Sequence, residues 1–122
     1  MLSFFSNMDK LKLNLDTLNS FCNCTKKAKQ PKYSKIIDKG SEELITVLND
    51  CVLNTLNGNI NLSQEDKQKL KKHKRFLRKI INSKKSSTKR KILVQEGSGF
   101  LPLILPGAIT LLTALIEHLT KK

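Results

Sequence analysis

Tryptophan is absent from this 122-residue chain and tyrosine occurs once, so with five Phe the anchors of any core must be mainly Leu and Ile. Such a core is small and aliphatic. Cysteine is scarce as well: three thiols cannot all pair, and the Cys22-Asn23-Cys24 spacing fits no common zinc or redox framework. Reduced thiols and an intracellular or intraviral setting are expected. The two histidines, His73 and His118, lie too far apart for a paired-ligand zinc motif, and a Gly-rich phosphate loop, nucleophile elbow or EF-hand loop is missing. Asp9, Asp16, Asp38 and Asp50 are isolated, while Glu42 with Glu43 suits helix initiation better than acid/base work. The expectation is a protein that is not an enzyme and needs no cofactor. The opening Met1–Met8 has neither the basic n-region nor the apolar core of a cleaved secretory signal, so export by that route is not expected. The length fits one small domain with appendages, and the composition excludes a collagen, a disulfide scaffold and a multi-domain enzyme.

Acidic residues are also few, 10 against 23 Lys and Arg, for a formal net charge of +13. Residues 67–91 hold 13 of the cations and no acid: Lys67, Lys69, Lys71, Lys72, Lys74, Arg75, Arg78, Lys79, Lys84, Lys85, Lys89, Arg90 and Lys91. The remaining cations and acids balance, so the whole net charge comes from this stretch. Such a block creates a potential that attracts nucleic acid, heparin-like polymers or anionic lipid. A solvated helix face followed by a lysine-rich linker is the plainer alternative. Lys outnumbers Arg ten to three in the block, which suits point-charge neutralisation more than bidentate reading of bases. The nucleic-acid contacts are therefore assigned to the block, Lys69 aside.

Apolar spacing predicts the elements. Met8, Leu11, Leu15 and Leu18 mark one face of a helix over about 8–22, with a loop following before Pro31. Tyr33, Ile36 and Ile37 suggest a short helical turn before Gly40. From Ser41 to Asn57, Leu44, Ile45, Leu48, Val52 and Leu56 keep to one face, and Gly58 supplies the C′ residue. Ser63 then caps a second helix running to about Asn82, antiparallel to the first across a short connection. On that helix Leu70, His73, Leu77, Ile80 and Ile81 share an arc, with Phe76 at its margin, and the cations sweep the opposite side. His73 reads as a packed imidazole and not a metal ligand. Ser83–Thr88 reads as a flexible connector, closed by Lys89-Arg90-Lys91, which also resembles part of a bipartite nuclear localisation signal. Phosphorylation at Ser86, Ser87 or Thr88 would lower the local charge and could act as a release switch.

Charge then vanishes. Gly97–Ile116 is a run of 20 uncharged residues, about the length a bilayer crossing requires. Pro102 and Pro106 each lack a backbone donor, so the continuous helix is expected to begin near Pro106 and to fall short of a full span. Phe100, Leu101, Leu103, Ile104, Leu105, Ile109, Leu112, Leu115 and Ile116 are the candidate membrane or partner contacts. Completion of the chain's own core, or packing into a second copy, is the competing reading.

Gly58-Asn59, Leu62-Ser63, Lys69-Leu70-Lys71-Lys72-His73-Lys74, Leu77-Arg78-Lys79, a Lys/Ser connector, and Lys91-Ile92-Leu93-Val94-Gln95 followed by Gly-x-Gly-Phe100-Leu101-Pro102 form a recognisable series. Over about residues 41–116 it resembles small basic proteins of adenovirus-like mobile elements and viruses of animals, the Maverick/Polinton and adintovirus type. The junction of Ile-Leu-Val-Gln with the Gly-rich Phe-Leu-Pro segment is the most specific part, and Ser98 interrupts the plain Gly-Gly of that pattern. The resemblance implies a virion-associated protein, analogous to the small basic core peptide of adenoviruses, acting in the virion and host nucleus.

The combined expectation is an all-α protein: a bundle over 1–82, a basic flexible linker over 83–91 and an apolar C-terminal segment over 92–122. Its expected function is sequence-nonspecific binding of double-stranded DNA in a core or packaging role. The alternatives are a membrane-active or tail-anchored protein whose block binds anionic lipid, and a helical adaptor for an acidic partner. A capsid protein, or a second copy held through the C-terminal segment, would be further partners.

Overall fold

The computed structural model describes residues 8–120, and within them the protein is an all-α bundle of six helices. The reading of the first seven residues lies outside the described residues, as do Lys121 and Lys122. Helix α1 spans Met8–Thr25, α2 Gln30–Asp38, α3 Glu42–Leu56, α4 Gln64–Lys71, α5 Lys74–Asn82 and α6 Ser86–Thr120.

Helix α1 buries Leu11, Leu18 and Phe21 at the expected period and runs three residues past the expected end. Burial of Thr25, whose hydroxyl donates to the Phe21 carbonyl, carries the extra turn. Where a loop and a short turn were expected, α2 is a nine-residue helix. Pro31 stands in its first turn, where a missing N–H costs no intrahelical bond, and Tyr33 and Ile37 are one turn apart and buried. The Tyr33 ring meets Phe21 edge-on at 5.6 Å, locking α2 to α1.

Helix α3 has both ends marked as expected. Ser41 Oγ accepts from the Leu44 N–H at 3.1 Å. Gly58 takes φ of +77° while Asn59 N donates to Asn54 O and Gly58 N to Thr55 O, closing the carboxyl end with a Schellman pair. Asn54 is fully buried and satisfied, donating to Asp50 O at 2.8 Å and accepting from the Asn59 amide at 3.1 Å.

The single helix expected from Ser63 to Asn82 is two. Ser63 Oγ does accept from the Asp66 N–H, but the chain turns at Lys72–His73, where His73 N donates back to Leu70 O. A straight helix would stack Lys71 on Arg75, a like-charge pair four residues apart that falls across this turn. The break lets Leu70 reach α6 while Leu77 and Ile80 pack on both α3 and α6. Helix α5, more than α4, is therefore the neighbour of α3.

The largest departure is at α6, which is continuous for 35 residues through Gly97, Gly99, Pro102, Pro106 and Gly107. Both prolines lie on its exposed stripe with Gln95, Thr110 and Thr113. An exposed stripe is where water can meet a carbonyl left without its intrahelical donor, so proline costs least there and the helix is not interrupted. On the other side Leu93, Phe100, Leu101, Ile104, Ala108 and Leu112 are fully buried and meet side chains from the surrounding helices in one core. The expected division into a bundle, a linker and a separable tail is thus replaced by one core built around α6. Residues 86–91 are the first turns of that helix, leaving only Ser83–Lys85 as a connector.

Candidate nucleic-acid interface

Eleven of the 13 cations in residues 67–91 are exposed: all except Lys89 and Arg90. On α4 and α5, Lys67, Lys71, Lys74 and Arg78 recur at four, three and four residues, forming one stripe. They rim a groove of about 560 Å³ whose floor is Leu56, Ile60, Leu70 and Leu77, with Gln64 and Gln68 at the edge. Beside it Lys72, Arg75 and Lys79 form a second row, and the Arg75 guanidinium lies 4.9 Å from the Phe76 ring centre. Lys84 and Lys85 extend the surface through the connector, and Lys91 is exposed on the first turns of α6. The only acid paired with this surface among the described residues is Glu65, 3.2 Å from Lys69. The interface is thus a broad field of nine ammonium and two guanidinium groups with little internal neutralisation.

The buried arc of the same helices fixes which way the cations point. Leu70, Leu77 and Ile80 are buried, and Phe76 and Ile81 are half-buried, as the helical wheel predicts. His73 is half-buried at the α4–α5 turn, 6.0 Å from the Phe100 ring centre and against Gly99. It is a packing residue at the hinge of the basic surface. Among the described residues no cluster of three His, Cys, Asp or Glu side chains could hold a metal.

Lys89 and Arg90 belong to a different machine. Lys89 Nζ donates to Asn49 Oδ1 at 2.6 Å and to Ile80 O at 3.0 Å, tying α6 to α3 and α5. Burial pulls its ammonium below the ordinary lysine range, and the Asp50 carboxylate partly opposes that. Arg90 Nη1 donates to the carbonyls of Ile37, Asp38 and Gly40, and Nη2 pairs with Glu42. These two cations cap and clamp helix ends, so their assignment as phosphate contacts is corrected. Sequence distance hid this, because the acceptors lie nine to 53 residues away in the chain. Ser86, offered as a phosphorylation site, donates to the Glu42 carboxylate, so it too belongs to this junction.

The apolar candidates are committed to the chain's own core. Phe100, Leu101, Ile104, Leu105 and Leu112 are buried, and Leu103, Ile109, Leu115 and Ile116 are half-buried against them. Helix α6 is nevertheless long and apolar enough to cross a membrane, by length and composition. A set of exposed lysines on the α1–α2 turn and α2 was not singled out from the sequence, because cations and acids balance over the residues outside 67–91 taken together. The chain matches no family model, no curated protein and no solved structure.

Proposed function

We propose that the protein binds double-stranded DNA without sequence preference, neutralising phosphates through the α4–α5 surface and its extension at Lys84, Lys85 and Lys91. The observation that carries this reading is the field of eleven exposed cations in residues 67–91, one of them ion-paired. A stripe of point charges with a three-to-four residue period follows a phosphate backbone, whereas base recognition calls for bidentate side chains at a groove edge. The rigid core behind the stripe limits the entropy lost on binding, since α4 and α5 are already held by Leu70, Leu77 and Ile80. In this reading the protein serves in packaging or coating a genome, in the virion and host nucleus, as the resemblance to small basic core proteins implies.

Counterion release tests it directly. If roughly eight cations touch phosphate, log affinity for a duplex falls against log salt with a slope near −7, equal for scrambled sequences. A slope shallower than about −2, or a marked preference for one sequence, overturns the proposal.

A second reading has its own observation: α6 could cross a bilayer by length and composition, and only a third of its most apolar window is buried. In that reading the cations bind anionic headgroups and α6 leaves the core to insert. Flotation with anionic and neutral liposomes, with and without competing DNA, separates the two. DNA that displaces the protein from anionic vesicles, together with no binding to neutral ones, favours the interface over insertion.

A further inference from the structure

A second cationic surface lies away from the first. Lys29, at the amino-terminal cap of α2, and Lys32, Lys35 and Lys39 recur at three or four residues, while Tyr33 and Ile37 between them are buried. The four lysines are exposed, form no ion pair with a described residue, and span roughly 15 Å along the helix. Lys26 and Lys27 at the α1–α2 turn are exposed as well. Asp38 is the one acid in residues 26–39. The cluster vanishes from a charge count only because acids on α3, α4 and α6 offset it on paper.

Two glycines of α6 fix where this surface lies. A Cβ on Gly97 would stand 3.1 Å from Ile37 Cδ1 of α2, and one on Gly99 would stand 2.9 Å from His73 Cε1 at the α4–α5 turn. Residues two apart on an α-helix point about 200° apart, so α2 and the α4–α5 turn flank α6 from opposite sides. Each packs its apolar residues inward and turns its lysines outward. With neighbouring axes about 8–10 Å apart, α2 and the α4–α5 pair sit roughly 20 Å apart axis to axis with α6 between them, so their cationic surfaces are separate. A duplex is stiff over about 150 bp, so one short duplex cannot lie on both.

We propose that the protein is a two-faced cross-linker: the stripe Lys67, Lys71, Lys74 and Arg78 holds one DNA duplex, and the α2 lysines hold a second, within a single copy of the chain. This rests on the DNA-binding reading above and adds a second site to it. The consequence is bridging and compaction of duplex segments, which a one-faced binder of the same charge does not produce as a monomer.

The test uses the full chain, a duplex of about 20 bp fixed to beads, and a fluorescent duplex of the same length added after loading and washing. The parent is expected to capture the second duplex while sedimenting as a monomer without DNA. Lys29→Gln/Lys32→Gln/Lys35→Gln is expected to hold the first duplex within about threefold of the parent and to capture the second at least about tenfold less. Three exposed substitutions to a good helix former leave the fold in place, checked by circular dichroism and Tm. Capture by the triple variant equal to the parent's overturns the proposal, as does bridging that appears only with a dimer. A parent that loads on the beads yet captures no second duplex overturns the two-faced inference alone. A parent that never loads overturns the DNA-binding reading itself.

Discussion

Arg90 Nη1, near the start of α6, donates to the Gly40 carbonyl at the end of α2 across 2.6 Å, and the same nitrogen also reaches the Ile37 and Asp38 carbonyls. The last carbonyls of a helix have no intrahelical partner, and a guanidinium is suited to collect several of them. A cation from the most basic segment of the chain thereby closes a helix 50 residues earlier and fixes the direction in which α6 leaves α5.

Arg90→Ala and Arg78→Ala should therefore separate stability from binding. Loss of charged hydrogen bonds at Arg90 is expected to cost about 2 kcal/mol, read as a fall in Tm, with little direct effect on DNA affinity. Arg78 is exposed, so its removal should leave Tm within about a degree or two and lower both duplex affinity and the magnitude of the salt slope by about one.

Leu77→Asp puts a carboxylate where the side chain is 0% exposed and should abolish the cooperative thermal transition. Identical melting of this variant and the parent would show that α5 is not packed on α3 and α6.

Ending the chain at Lys91 removes Leu93, Phe100, Leu101, Ile104, Leu105, Ala108 and Leu112 from the core. The truncated chain is expected to lose its cooperative transition and most of its helical circular dichroism. The sequence alone suggested the opposite, a bundle over 1–82 that is complete without the apolar segment over 92–122. Leu112→Lys in the full chain should likewise unfold the bundle, since Leu112 is also fully buried.

Glu42 gives a pH signature. Its carboxyl accepts from Ser86 and Arg90, which hold its pKa below the ordinary glutamate range in the folded state. A folded pKa below the unfolded one contributes stability fully present above about pH 4.3 and lost as pH falls through the lower folded value. The Tm difference between the parent and Glu42→Gln should hold from neutral pH to about pH 5 and shrink in acid below the unfolded glutamate pKa. A difference independent of pH down to acid denaturation would remove Glu42 from this junction.

Thiol reactivity reports on the core. Cys24 is exposed, Cys22 half-buried and Cys51 buried, and burial pushes the thiols of Cys22 and Cys51 up. A thiol reagent should label Cys24 at once and Cys22 more slowly. Cys51 should react only at the rate of global unfolding, which the Leu77→Asp variant should raise to that of Cys24.

The sequence by itself determined the helical class, because the apolar period along residues 41–57 and 67–81 is helical and Ser41, Gly58 and Ser63 punctuate it locally. It also determined which side of α5 carries charge, since Leu77 and Ile80 share one arc of the helix while Arg75 and Lys79 fall roughly opposite them. These are properties of a few neighbouring residues. Only the tertiary structure decided the rest, and in each case the reason is a partner remote in sequence. Pro102 and Pro106 interrupt a helix or ride on one according to which face the other helices cover. Lys89 and Arg90 look like phosphate ligands until the acceptors of α2, α3 and α5 are brought beside them. The lysines of α2 become a second surface because Ile37 and His73 meet α6 on opposite sides, a relation between glycines two residues apart that no local pattern contains.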